Sequence, residues 1–294
     1  MSQYDELIRG AIDLHCHIDI EFSLAHRKAE PESSWLPRAE AMGMRGFVLK
    51  SHWWPTANVV PYIRESYKGP VELWSSVTLN PICGGPTTEA IEACVALGGR
   101  VAFLPTWSAQ HDIEHGGFST RIKDYYPSFS LGDFKGYVFL DARRELTDGA
   151  KELVDCCKRL NVALGTGHVS WEESLAFATF AHDIGFKNLL INHPLNRRTN
   201  APLDGLQKVA ELGAFIEICW TQVAPGRTPA QKMVAAVREI GPSQIVASTD
   251  YFRPGIPNPP ELMCEYLGML SDAGLSKVEI RQIAAENPAR ALSV

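Results

Sequence analysis

Five of the nine histidines in this chain stand at the ends of short apolar runs: His15, His17, His52, His168 and His193. Asp250 closes a further run in the same way. His15 and His17 are two apart, so on a strand both imidazoles point to one side and Cys16 to the other. Two imidazoles so placed can grip one metal ion. His168, His193 and Asp250, arriving from other runs, can complete its coordination. Neutral imidazole with carboxylate suits Zn²⁺, and also Fe²⁺ or Mn²⁺. Taken one at a time, each histidine has a plain alternative as a hydrogen-bonded core residue. Taken together they do not, because unpaired polar groups converging in one interior would be costly.

The elements that would carry these residues alternate along the chain. Strand patterns fall at residues 11–17, 46–52, 71–80, 100–106, 162–168, 188–193, 214–220 and 245–250. Helical patterns lie between most of them, at 31–43, 87–97, 148–160, 171–184, 204–212 and 229–240, with a short one near 56–67 and two more at 260–273 and 276–292. Such alternation predicts a parallel sheet, and eight strands predict an α/β fold of the (β/α)8 barrel type over residues 1–294 as one domain. Thr87 and Ser170 read as helix caps, the latter with Glu173 in a capping box. Residues 107–147 form an excursion after strand four, with an extra strand expected at 136–140. An excursion there reads as a lid or hairpin over the barrel mouth.

In such barrels catalytic groups gather at the C-terminal ends of the strands, where the histidines and Asp250 stand. Composition narrows the partners. The 294 residues carry a net charge of −6, which argues against nucleic acid or an anionic membrane as partner and leaves a small molecule. Seven cysteines without a repeated spacing, and an amino terminus without a basic and apolar leader, lead to the expectation of a reduced, cytoplasmic protein.

Asp13-Leu14-His15-Cys16-His17 resembles the His-x-His signature of the amidohydrolase superfamily. Gly167-His168, Asn192-His193-Pro194 and Ser248-Thr249-Asp250 fall where that family keeps its other ligands, and Asn287-Pro288-Ala289-Arg290 resembles its C-terminal Asn-Pro-Ala segment. Val48-Leu49-Lys50-Ser51-His52 and Thr78-Leu79-Asn80 resemble a smaller, functionally uncharacterised amidohydrolase-like subgroup. The chain departs from many two-metal members at the end of strand four, where Phe103-Leu104-Pro105-Thr106 offers no bridging lysine or glutamate. The resemblance therefore implies a single metal, Zn²⁺ first, or two metals bridged by Lys50. It also suggests a homo-oligomer.

The same resemblance implies a reaction. The metal would activate water and polarise a carbonyl of an amide, cyclic imide, lactone or related bond. Asp250 would take and pass on the proton, and His193 or His52 would steady the developing oxyanion. Lys50 and Arg27 are candidates for a substrate carboxylate, and Trp53, Trp54 and Trp107 for an apolar wall. Related barrels also support a metal-dependent decarboxylase, which is the first alternative. A Schiff-base enzyme using Lys50 and a barrel that only binds are the others. His111-Asp112-Ile113-Glu114-His115 has the spacing of an inverted zinc-protease motif, but Gly116-Gly117 follows at once and leaves no stable helix to carry it. His111 and His115 remain candidates only as loop residues over the pocket.

Overall fold

The structure, a computed structural model, describes residues 4–28, 30–252 and 255–294. The first three residues, part of the stretch inspected above for a leader, lie outside that set. Eight parallel strands follow in chain order: β1 (Ile12–His17), β2 (Gly46–Lys50), β3 (Glu72–Thr78), β4 (Gly99–Phe103), β5 (Ala163–Gly165), β6 (Leu189–Ile191), β7 (Phe215–Cys219) and β8 (Ile245–Ser248). Cys16 and Tyr251 bridge in parallel and so close the circle, the amide of His17 donating to the Tyr251 carbonyl at 2.9 Å. The expected (β/α)8 barrel is the observed fold.

Two apolar cores hold it. Ile12, Leu14, Val48, Trp74, Val101, Phe103, Leu190, Phe215 and Val246 fill the barrel interior. A larger cluster, including Cys16, Leu49, Leu164, Ile191 and Ile218, packs the outer strand faces against the helices. β1 changes phase along its length. Ile12 and Leu14 join the interior cluster, yet Cys16 joins the outer one. The register between β1 and β2 shifts between Asp13 and Cys16, and such a bulge re-aims the side chains beyond it. The shift turns His15 and His17 toward the mouth. The buried Asp13 carboxylate stays beside the break, accepting from the amides of His15 at 3.0 Å and Thr249 at 3.1 Å and from the Thr249 hydroxyl.

The strands stop sooner than the apolar runs predict. β5 ends at Gly165, β6 at Ile191 and β8 at Ser248, before His168, His193 and Asp250. The reason is local geometry. Gly167, His193 and Asp250 have φ of +59°, +31° and +51°, left-handed values that no ladder accommodates. The rim residues thus sit on turns rather than on strands.

The expected strand at 136–140 is absent among the described residues. Only isolated bridges occur there, Ala109 with Tyr137 and Leu140 with Leu146. Gly136, at φ +100°, crosses so close to the Gln110 backbone that a Cβ would lie 2.5 Å from it, which prevents an extended run. The rest of the β4 connection carries a helix, Gln110–Glu114, and two 3-10 turns, Phe118–Thr120 and Ile122–Asp124.

Thr87 and Ser170 cap their helices as expected, the latter in a full capping box with Glu173. Asn287 of the Asn-Pro-Ala segment donates to the carbonyls of Pro242 and Ile245, each at 2.7 Å, fastening the last helix to the start of β8. No helix of the described residues is long and apolar enough to cross a membrane.

Gly167, on a rim turn, and Gly213, in the turn before β7 at the opposite end of the barrel, differ in how tightly they are packed. Gly213, at φ +92°, has nothing within 4 Å of a Cβ, whereas a Cβ on Gly167 would lie 2.3 Å from the Leu104 carbonyl oxygen. Gly213→Ala is expected to cost only the left-handed penalty, about 1–2 kcal/mol. Gly167→Ala adds a backbone collision, so its fall in Tm should be at least roughly twice as large in thermal melts.

Candidate metal centre

His15 and His17 are backed by carboxylates. His15 Nδ1 lies 3.1 Å from Glu217 Oε2, and His17 Nδ1 lies 2.9 Å from Glu21 Oε1. A carboxylate at Nδ1 accepts the ring proton there and leaves Nε2 with its lone pair. Both Nε2 atoms face Asp250 Oδ1, at 3.2 and 3.5 Å. His17 Nε2 is buried without any hydrogen-bond partner. The donor atoms of His15, His17 and Asp250 all lie within 4.8 Å of one another. A buried lone pair facing a second imidazole and a carboxylate is unfavourable unless a cation sits among them. These residues therefore fit a divalent metal, and the orphaned His17 Nε2 is the sign of it.

Around this point the five strand-end histidines form a closed circuit. Ring centroids are 5.2 Å apart for His15–His17, 4.5 Å for His17–His52, 6.0 Å for His52–His168, 5.2 Å for His168–His193 and 5.8 Å for His193–His15. They differ in what they offer. Asn196 uses its oxygen to accept from the amides of Arg198 and Thr199, so its Nδ2 faces His193 Nδ1 at 3.1 Å. An amide nitrogen can only donate, so His193 Nδ1 accepts and Nε2 carries the hydrogen. Burial, and then the neighbouring His168 imidazole, push the His193 pKa down to about 3, which keeps that ring neutral. His168 is the reverse case: its Nδ1 lies 2.7 Å from the buried Asp112 carboxylate, leaving Nε2 as an acceptor.

Lys50 is fully buried beneath the circuit. Its ammonium lies 3.0 Å from His15 Nε2 and 4.9 Å above the Phe103 ring. Burial lowers its pKa against the opposing pull of Asp250, Glu21 and Glu217. Burial likewise holds His52 well below the usual imidazole range, with Lys50 adding to it. Phe118 stacks on the His52 ring at 4.5 Å, and Phe22 stacks beyond it. Trp107 donates its indole hydrogen to the His52 carbonyl at 3.2 Å and packs against Trp53 at 5.5 Å. These aromatics cover the His52 side of the mouth, while His168 and Asp250 each keep about a fifth of their side chains exposed, 18%.

Three expected residues lie elsewhere. Arg27 gives its guanidinium to Asp19, through Nε at 3.0 Å and Nη2 at 2.5 Å, so its fork is already engaged in an ion pair at the rim. His111 and His115 pack tilted against one another at 4.2 Å, in a cleft they share with Arg144, Ser170 and Glu172. Four acids have no role in the sequence reading: Glu21 and Glu217, and also Asp13 and Asp112, which stand inside motifs read for their histidines. Glu217 carried a signal. It interrupts the apolar Phe215-Ile216-Glu217-Ile218 run at an interior-facing position, which the period of two exposes.

Burial alone would raise the Glu217 carboxyl, but His15 beside it and the Asn192 amide bring it down to about 2. It accepts from His15 and, at 2.9 Å, from Asn192 Nδ2. Glu217→Ala would strand both donors in a dry interior and is expected to cost about 2–3 kcal/mol. Glu217→Gln, which keeps an acceptor, should cost less. Denaturant titration of the two variants measures the difference.

The chain was compared with known proteins. No curated protein matches it in sequence. Solved structures do match in fold. An amidohydrolase from Pseudomonas aeruginosa aligns over 99% of this chain and 98% of its own, with TM-score 0.61 and 11% identity. A probable dipeptidase from the same organism aligns over 99% and 96%, with TM-score 0.65 and 13% identity. A 2,6-dihydroxybenzoate decarboxylase from Rhizobium aligns over 97% and 99%, with TM-score 0.57 and 14% identity. All three are amidohydrolase-superfamily barrels, and at these identities the likeness is one of fold. Residues 10–217 match the model of a family of unknown function, DUF6282, and the chain belongs to that family.

Proposed function

We propose that this protein is a metal-dependent hydrolase of a small molecule, cleaving an amide, cyclic imide, lactone or related C–N or C–O bond. One observation carries the reading: His15 and His17 turn their Nε2 lone pairs to Asp250 while buried carboxylates hold both Nδ1 atoms. His15, His17 and Asp250 would hold the ion, Zn²⁺ by the donor set, with Mn²⁺ and Fe²⁺ also suited. When bound, such an ion supplies an acidified water and a Lewis acid for a carbonyl oxygen.

The remaining work falls to the chain itself. Asp250 has one oxygen on the two histidines and the other accepting from the Thr221 hydroxyl at 2.8 Å. That contact fixes the carboxylate plane, so Asp250 can receive a proton at the mouth and return it to a leaving group. His193, a neutral ring with its hydrogen on Nε2, is built to donate toward negative charge developing on the substrate. His168, with Nε2 free, is built to accept. Lys50 and a metal contend for one lone pair, that of His15 Nε2. With an ion on that atom, the ammonium would lose this acceptor and would be available to a substrate carboxylate. Trp53, Trp107, Phe22 and Phe118 keep water away from the His52 side, which strengthens every charge interaction there.

The test has two stages. Protein purified without chelator should carry about one equivalent of divalent metal by mass spectrometry, and His15→Ala/His17→Ala should lose it. Glu217→Gln and Glu21→Gln should weaken the ion by roughly 10–100-fold in chelator competition. Turnover of a small-molecule panel in oxygen-18 water should then place one label in the product. Release of carbon dioxide with no label in the organic product would establish the decarboxylase alternative instead, and a wild type that takes up no Zn²⁺, Mn²⁺ or Fe²⁺ would overturn both.

A further inference from the structure

Asp112 touches none of the metal-facing donors, yet it joins two parts of the mouth. It sits on the Gln110–Glu114 helix, in the long connection after β4, and its side chain is almost fully buried. One oxygen faces His168 Nδ1 at 2.7 Å and also accepts from the Phe118 amide at 2.9 Å; the other accepts from the Ser119 amide at 2.8 Å. Phe118 is the ring stacked on His52. Gly117 makes this possible: a Cβ there would lie 2.0 Å from the Asp112 carboxylate. The chain thus turns tightly around a single carboxylate. That carboxylate is spent on one imidazole and on the backbone of the aromatic cover.

We propose that Asp112 is a positioning residue that couples the seating of the 107–131 cover over the mouth to the presentation of His168. The proposal rests on the reading of His168 as part of the reacting site. When the cover is seated, the carboxylate takes the His168 Nδ1 hydrogen and presents Nε2 to the mouth. When the Phe118–Ser119 turn lifts, two amides lose their acceptor and the carboxylate is released. His168 then loses the contact that fixes its tautomer and its plane. Coupling through a shared group is reciprocal, so disturbing His168 must also loosen the cover. A carboxylate that merely filled space would show no such return effect.

The experiment uses the full chain, free of metal, so that its outcome stands apart from the metal reading. Histidine-labelled protein is compared by nitrogen-15 NMR, with the His168 signals assigned from their loss in His168→Phe. The wild type should show a single His168 tautomer with the hydrogen on Nδ1, and Asp112→Asn should abolish that single state. Gly117→Ala, which displaces the carboxylate without removing it, should do the same and serves if Asp112→Asn fails to fold. Trypsin cleavage after Arg121 and Lys123 reads the cover. It should rise roughly tenfold in Asp112→Asn and also in His168→Phe, whose substitution lies outside the segment. An unchanged tautomer in both Asp112→Asn and Gly117→Ala, or cleavage of His168→Phe at the wild-type rate, would overturn the proposal.

Discussion

Where the Nδ1 protons of two histidines go decides what this barrel can do. Glu217 and Glu21 take them, and the consequence runs outward in both directions. Toward the mouth, two lone pairs are left facing Asp250. Toward the scaffold, two carboxylates must be kept ionised in a dry interior. The chain arranges this by giving each acid several donors. Glu217 holds Asn192 as well as His15, and Glu21 accepts from the His52 amide as well as from His17. Buried acids of this kind are tolerable only when fully engaged. A change at any one partner therefore reaches the imidazoles.

The same economy appears around the rim. Asp13 ties β1 to the turn after β8, and Asp112 ties the β4 connection to the turn after β5. Lys28 directs its ammonium to the carbonyls of His17 and Ile18 and over the Tyr251 ring. Each of these three buried charges fastens one segment of chain near the mouth to another. Asp13 holds the turn of Asp250 through Thr249, and Asn196 holds that of His193; both residues have a left-handed backbone that no ladder holds. Strain of this kind persists only where the surroundings over-determine it.

The barrel and its ring of histidines are legible in the sequence because both rest on short-range rules. Apolar runs of strand length alternate with helical patterns, and polar residues that close such runs stand out. The exact strand ends are not legible, because the left-handed turns at Gly167, His193 and Asp250 depend on what the neighbouring strands place beside them. Glu217 is readable by the same period of two that pairs His15 with His17. Glu21 and Asp112 are not, since the one reaches the site from a bend after β1 and the other from a short helix within the β4 connection, where no period marks them. Arg27 resembles a ligand-binding residue until the fold brings Asp19 against it. The strand expected at 136–140 fails for a steric reason, the close crossing of Gly136 over Gln110, that no local pattern encodes.

The bulge in β1 has a consequence for how such a protein can change over time. Up to Leu14 the strand contributes Ile12 and Leu14 to a greasy plug; beyond it the same strand contributes two imidazoles to a polar cup. Without the break, one alternation would govern both, and every shift that improved packing would turn the imidazoles away. With it, the two halves answer to separate demands. The plug can drift among aliphatic side chains of similar volume while the cup is kept. A lineage can retune its thermal tolerance from below and its chemistry from above with little interference between the two.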